Sequence, residues 1–309
     1  MDIVSVVIPT LNRQPSLKRA LASLMQQRLD EQTAMDIIVV DNSVDANARF
    51  LVEAMAEDGA PLRYFSEPVP GVATARNAGV AAATGRWVAF LDDDEQARPD
   101  WLARLVEVAR STGADAVFGP VLARSDGVHE IGGFAPYFCR RIDRADRADI
   151  TDLAAYLGTN NSMFDRARCL AGAGTFETSL NETGGEDSLL LKRLVLTGRR
   201  FAWAAEAEVL EWAAEKRLNW AYVRKRKFLS GQIRVFVHHM VQPVEWGGIA
   251  KWMAVGGIQA VGAGLLAVAL WPFARARAER AAATAWGGLG KVFWASRFRP
   301  SMYGSGLVS

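Results

Sequence analysis

The run Trp87-Val88-Ala89-Phe90-Leu91-Asp92-Asp93-Asp94-Glu95 joins an apolar, strand-like segment directly to three aspartates and a glutamate. Carboxylates crowded at the end of a buried strand repel one another and lose water. Both effects raise their pKa values unless a cation neutralises them. A hard divalent ion such as Mg²⁺ or Mn²⁺ takes oxygen ligands of this kind and fills its other positions with phosphate oxygens. The stretch therefore reads as a candidate metal–diphosphate site at the carboxyl end of a strand, where open α/β sheets bind ligands. The alternative reading of the same residues is a solvated loop whose acids cap a helix beginning near Pro99.

Outward from this point, β-rich runs alternate with helical patterns. Val4–Ile8 reads as a buried strand ended by Pro9-Thr10, and Leu17, Ala20, Leu21 and Leu24 mark one face of a following helix. Ile37–Val40 is a second strand, ending at Asp41-Asn42-Ser43, followed by a helix over 46–57 and a short strand at Arg63–Phe65. Pro70-Gly71 opens a small-residue helix before the strand 86–91, and a helix over 99–111 leads to the strand Ala116–Phe118. This alternation predicts an α/β fold with a mostly parallel sheet flanked by helices. Residues 120–150 read as loops with short strands, and Tyr156–Phe164 as a strand carrying Gly158-Thr159-Asn160-Asn161. Gly184-Gly185 introduces a helix from Glu186 to Thr197, with Glu186 and Asp187 in its first turn, where the helix macrodipole favours negative charge.

A chain of 309 residues, half of them apolar, can bury a large core. Its net charge of +2 conceals an asymmetry. Residues 1–214 carry 22 basic and 31 acidic side chains, whereas 215–309 carry 14 and 3. Such a split predicts an acidic catalytic body, 1–214, and a basic tail that meets an anionic surface. The body is expected to fall into two halves, 1–118 and 119–214. Cys139 and Cys169 form no CxxC pair, and with His129, His238 and His239 they lack zinc-ligand spacing, so a reducing compartment is expected. Met1-Asp2 leads straight into the apolar run Ile3–Ile8, so the N-terminal body is expected to stay in the cytoplasm.

In the tail, Lys216, Arg217, Arg224, Lys225, Arg226, Lys227 and Arg234 interleave with Trp220, Tyr222 and Phe228 on a helical pattern. Trp252–Phe273 then carries no charge and is long enough to span a bilayer core. Both flanks are basic, against the positive-inside tendency of a simple span. A re-entrant or interfacial helix pair, broken near Gly256-Gly257 or Gly262–Gly264, is therefore preferred over a single span. A buried helix of a soluble protein is the third reading. A nucleic-acid role for the basic helix is disfavoured because an apolar segment of membrane length follows at once.

The motifs together resemble family 2 glycosyltransferases: Val4–Arg13, Val39–Ser43, Gly71–Gly79 and Leu91–Asp94, then Gly158–Asn161 and Gly184–Asp187. Glu211-Trp212 with Arg217, Trp220 and Arg224 is similar to succinoglycan-type bacterial glucosyltransferases. The resemblance implies a GT-A fold with a membrane-associating tail, a nucleotide-sugar donor, Mg²⁺ or Mn²⁺, and inversion at the anomeric carbon. Pro9, Thr10, Asn12, Arg13 and Asp41 would surround the nucleotide, which a UDP-sugar would supply. Arg76 would lie against base or diphosphate, Asp92 would contact ribose or sugar, and Asp93 would lie close to the metal. Asp94, with Asp92, would ligate the metal. Asp187 would be the general base, oriented by Glu186, and Asn160, Asn161, Gly184 and Gly185 would meet the acceptor. Leu11 stands where the family often has an aromatic residue that stacks on the base, and the QxxRW signature of processive synthases is absent. The implied enzyme adds one sugar per encounter to a lipid-linked saccharide at the cytoplasmic face of the bacterial inner membrane, touching it through residues 215–280. A sugar nucleotidylyltransferase would need a Gly-rich loop where Thr10–Arg13 offers none, and a dinucleotide dehydrogenase a GxGxxG. A catalytically silent scaffold remains the non-enzymatic alternative.

Overall fold

The structure, a computed structural model, describes residues 2–172 and 174–298. The last part of the expected C-terminal region, 299–309, lies outside the described residues. A seven-stranded sheet forms the centre, in the order β3-β2-β1-β4-β8-β6-β9. Its strands are β1 (Asp2–Thr10), β2 (Thr33–Asp41), β3 (Leu62–Ser66), β4 (Trp87–Phe90), β6 (Ala116–Phe118), β8 (Ser162–Asp165) and β9 (Phe201–Trp203). All pairings are parallel except those of β8 with β4 and β6. Val4, Val6, Val7, Ile8 and Ile37–Val40 are fully buried, as expected of strands covered on both faces.

Helices α1 (Gln14–Leu24), α2 (Arg49–Glu57), α3 (Val72–Ala82), α4 (Trp101–Thr112), the short α5 (Arg166–Cys169) and α6 (Glu186–Leu196) provide that cover. Leu17, Ala20, Leu21 and Leu24 are the buried face of α1, as the periodicity predicts. On the opposite face of the sheet, Phe90, Phe118, Phe164 and Phe176 pack edge to face, with centroids 5.6–5.9 Å apart.

Two expectations need correction here. The segment Tyr156–Phe164 is strand only from Ser162. Thr151–Tyr156 is a short 3₁₀ helix, and Gly158–Asn161 form a loop. The backbone polar groups of that loop are satisfied by the Arg140 guanidinium instead of a neighbouring strand. The sequence reading also passes over a second sheet of three short strands, β5 (Glu95–Ala97), β10 (Val209–Ala213) and β7 (Val121–Ser125), in the order β5-β10-β7.

The C-terminal region folds as three helices, α7 (Trp220–Met240), α8 (Trp246–Leu270) and α9 (Arg275–Val292). Leu180 and Leu189, in and beside α6, share a cluster with Phe236, Val237 and Val241, which docks α7 onto the sheet domain. The expected break near Gly256-Gly257 or Gly262–Gly264 does not occur, because α8 is one uninterrupted helix. The chain reverses instead around Trp271–Ala274, where Pro272 cannot continue a helix. Gly256 serves close packing with α9, whereas a Cβ on Gly257, Gly262 or Gly264 would meet nothing within 4 Å. A Cβ on Gly288 would lie 2.6 Å from the Gly256 carbonyl, and one on Gly290 would lie 1.9 Å from the Phe228 carbonyl. Most of α8 faces outward, with Ile258, Val261, Leu265, Leu266 and Val268 exposed.

Candidate active site

The parallel register brings the ends of β1, β2 and β4 together, with Thr10 opposite Asp41 and Val7 opposite Phe90. The aspartate run leaves β4 at this edge and lines a cavity of about 840 Å³. Asp93 turns inward, accepting from the Thr10 hydroxyl at 2.8 Å and pairing with Arg13 at 3.0 Å. Asp94 pairs with Arg13 at 3.1 Å and with Arg217 at 3.5 Å. Glu95 is buried beneath, taking the Asp92 backbone N–H at 3.0 Å and the Asn160 amide at 2.9 Å. Burial raises the pKa of Asp92, lifts Asp93 to about 6, and holds Glu95 well above the usual range; the adjacent negative charges add to each shift.

Helix α3 enters from Gly71, whose φ of 144° belongs to glycine and where a Cβ would overlap the Asn181 side chain. Asn181 accepts the free N–H groups of Ala73 and Thr74 at the helix start, and Asn42 accepts that of Gly71. This anchoring fixes Arg76 one turn further on. The buried Arg76 guanidinium reaches Glu186 at 2.5 Å and Asp92 at 3.4 Å, tying the aspartate run to the start of α6.

The two glycines before α6 both adopt left-handed backbone, with φ of 73° at Gly184 and 98° at Gly185. A Cβ on Gly185 would press on Phe236 of α7 at 2.7 Å. The turn they form places Glu186 inward against Arg76 and leaves Asp187 at the cavity wall. Asp187 Oδ1 accepts its neighbour's Ser188 N–H at 2.6 Å, while its Oδ2 lies against Gly158, 3.1 Å from where a Cβ there would be. Burial, with Asp187 adjacent, pushes Glu186 up to about 7 despite the Arg76 charge.

Of the residues expected at the site, Pro9, Thr10, Arg13, Arg76, Asp92–Asp94, Asn160, Gly184, Gly185, Glu186 and Asp187 line this one cavity. Asn12, Asp41 and Asn161 are not on its wall. Asn12 accepts from the Asn47 amide at the surface. Asp41 is fully buried, with its carboxylate taken by the N–H groups of Ser43 and Ala48 and by the Tyr64 hydroxyl. Asn161 is likewise buried, accepting from the Trp101 indole and donating to Pro120 and Ala207. Asp41 and Asn161 thus spend their side chains on protein partners, whereas Asn12 is exposed beside Arg13 of the cavity wall. Reasoning from sequence missed Arg140, whose buried guanidinium donates to Gly119, Gly158, Asn160 and Asn161, and whose pKa burial lowers to about 10. It also gave no site role to Glu211, pushed up to about 7 by burial and Asp94, or to Asn42 and Asn181. Only spatial neighbours mark these residues out, because each lies far in sequence from the group it serves.

Asp92 and Asp94 lie two residues apart on one turn at the cavity wall, and each already faces guanidinium groups. Among the described residues no three acidic, thiol or imidazole groups form a metal cluster. Two carboxylates on one turn are oxygen donors of the kind a hard cation takes, with phosphate oxygens as its other ligands.

A comparison with protein families matches the model described as glycosyl transferase family 2 to residues 5–166. The chain is 35% identical over 223 residues to the succinoglycan biosynthesis protein ExoM of Rhizobium meliloti, covering 71% of this chain and 70% of that one. It is 31% identical over 129 residues to the GalNAc(5)-diNAcBac-PP-undecaprenol beta-1,3-glucosyltransferase of Campylobacter jejuni, covering 41% and 40% of the two chains. Among solved structures, the mannosyltransferase PcManGT of Pyrobaculum calidifontis, in complex with GDP-Man and Mn²⁺, aligns with a TM-score of 0.62 at 19% identity. That alignment covers 94% of this chain and 87% of the other. S. aureus TarS 1–349 aligns with a TM-score of 0.53 at 17% identity, covering 94% and 90%. At these identities the structural likeness speaks for the fold, which is of the GT-A type. With the family model matching residues 5–166, just over half of the chain, and the Rhizobium relative covering 71% of it, the protein belongs to glycosyl transferase family 2.

Proposed function

We propose that this protein is an inverting, metal-dependent hexosyltransferase that moves one sugar from a UDP-sugar to a saccharide on a lipid carrier. The observation that carries this reading is the single cavity shared by the Asp92–Asp94 run and Asp187, with Arg76 bridging the two sides. The acceptor hydroxyl attacks the anomeric carbon while its proton passes to Asp187, and the bond from that carbon to the diphosphate oxygen breaks on the opposite face. Asp187 suits the base role better than Glu186, because Glu186 is buried and held by Arg76 whereas Asp187 lines the cavity only half-buried, with no ion pair among the described residues. Arg76 and Arg13 lie where they can pair with phosphate oxygens. A divalent cation held by Asp92 and Asp94 would supply Lewis-acid neutralisation of the departing diphosphate.

The Campylobacter relative's name describes an acceptor on undecaprenyl diphosphate, which supports a lipid-linked acceptor here. The exposed apolar face of α8 supports a membrane surface as the place of work. Interfacial seating is preferred to a span. Along its length α8 packs on α9, which bears Arg275, Arg277, Glu279, Arg280 and Lys291, and Lys291 donates to Gln259 in the middle of α8 at 2.8 Å. Crossing the bilayer would draw those charges into hydrocarbon.

The test is nucleoside diphosphate release from UDP-, GDP- and dTDP-sugars in the presence of extracted lipid-linked acceptor. Release should require the acceptor and be highest with one UDP-sugar. Asp94→Asn and Asp187→Asn should each lower turnover by about 10²–10⁴-fold in folded protein. Near-normal turnover in Asp187→Asn overturns the base assignment, and preference for a GDP- or dTDP-sugar overturns the donor.

A further inference from the structure

The cavity continues well past the carboxylates, and its far wall is built by the C-terminal helices. One face of α7, carrying Lys227, Ser230, Arg234 and His238 at helical spacing, lines it, and Trp252 of α8 completes the wall. This end has the opposite charge from the donor end. Among the described residues neither Lys227 nor Arg234 has an acidic partner, and Nη1 of Arg234 is buried without a hydrogen bond. Aromatic rings hold both cations instead. The Arg234 guanidinium lies 4.2 Å from the Tyr156 ring and 5.3 Å from that of Trp252, and the Lys227 ammonium lies 5.4 Å from Tyr137. Burial, together with the charges of Arg234 and Lys227, lowers the nearby Lys291 ammonium to about 8, as expected where positive charges gather without compensation.

Cations left unpaired inside a cavity are costly unless an anion joins them, and a guanidinium with an idle N–H is shaped to donate to phosphate oxygens. We propose that Arg234 and Lys227 form a second phosphate subsite, separate from the donor site, which binds the diphosphate of a prenyl-type lipid carrying the acceptor saccharide. The proposal rests on the glycosyl-transfer reading above and specifies its acceptor. Trp252 belongs to the apolar helix α8, so a lipid leaving the subsite on that side meets the exposed face of that helix, while the saccharide points toward Asp187.

The full chain in detergent is titrated with farnesyl diphosphate, read by tryptophan fluorescence, and separately with UDP plus Mn²⁺ by calorimetry. Farnesyl diphosphate should bind the wild type. Arg234→Gln and Lys227→Gln should each weaken that binding by about tenfold, Arg234→Lys should restore most of it, and UDP affinity should be unchanged throughout. Equal affinity in the wild type and both glutamine variants overturns the subsite. Displacement of farnesyl diphosphate by UDP overturns it too, because the two would then share the donor site. Phosphatidylglycerol vesicles competing equally at matched phosphate would show a headgroup surface and overturn the carrier assignment. Failure of the wild type to bind UDP with Mn²⁺ counts against the transferase reading, so the two failures are distinguishable.

Discussion

Arg76 holds the site together. Its guanidinium is enclosed and answers Glu186 on one side and Asp92 on the other, although the three residues lie on different elements. Removing one member of a buried ionic pair strands the other charge, at a cost of about 3–5 kcal/mol. Arg76→Met should therefore lower unfolding free energy by that order in urea titrations and abolish transfer. Stability unaffected by this change would contradict the bridging role. Glu211 gives a pH signature. Its folded pKa of about 7 lies above the ordinary carboxyl value, about 4.3, so the native protein holds a proton that the unfolded chain has released. The stabilisation is complete below the unfolded value and is lost as pH rises through about 7. In metal-free buffer the melting temperature should fall between about pH 5 and 8, and Glu211→Gln should make that fall shallower. Part of the slope should remain in the variant, because Glu186 and Asp93 are also raised, to about 7 and about 6. An identical slope in the variant removes Glu211 from the account.

Between elements, glycine contacts govern the C-terminal helices. Gly290 of α9 meets the Phe228 carbonyl of α7 so closely that no side chain fits between them. Gly290→Val should separate α9 from α7 and cost about 1–3 kcal/mol or more. The loss should appear as a lowered melting temperature and as proteolysis between α8 and α9, with the sheet domain resisting digestion. Cleavage starting in the sheet domain instead would show that the helices are not independently loosened. The start of α3 follows the same principle of distant support, since Asn181 caps a helix more than a hundred residues earlier in the chain. No local pattern announces such a cap, so the position of Arg76 could not be read from the Gly71–Gly79 segment alone.

For the whole molecule, charge and apolar surface are segregated along the chain. The acidic sheet domain carries the reaction cavity, and the basic helices carry an exposed apolar face. Basic residues near an anionic bilayer contribute about 1 kcal/mol each, an attraction that salt screens. The protein should co-float with vesicles containing phosphatidylglycerol and be released in part by high salt. Val261→Glu with Leu265→Glu should abolish flotation at any salt concentration, because a charge on the exposed apolar face opposes its insertion among lipids. Flotation persisting in that double variant would place the contact elsewhere.

The sequence by itself determined the alternating α/β order, the mostly parallel sheet, the aspartate run at a strand end and the paired acids opening α6. Each of these is written in local periodicity or in adjacent residues, and local sterics and burial enforce them. Only the tertiary structure decided which polar residues are free to act. Asp41 and Asn161 look like ligand-binding groups in the sequence but spend their hydrogen bonds on protein groups, Asn161 on segments far away in the chain, whereas Arg140 and Glu211 reach the site from remote segments. The continuity of α8 likewise depends on its packing against α9, where glycines permit close contact between helices without breaking either of them. Hydrogen-bond satisfaction and close packing belong to pairs of segments distant in the chain, so they become fixed only when the chain has folded.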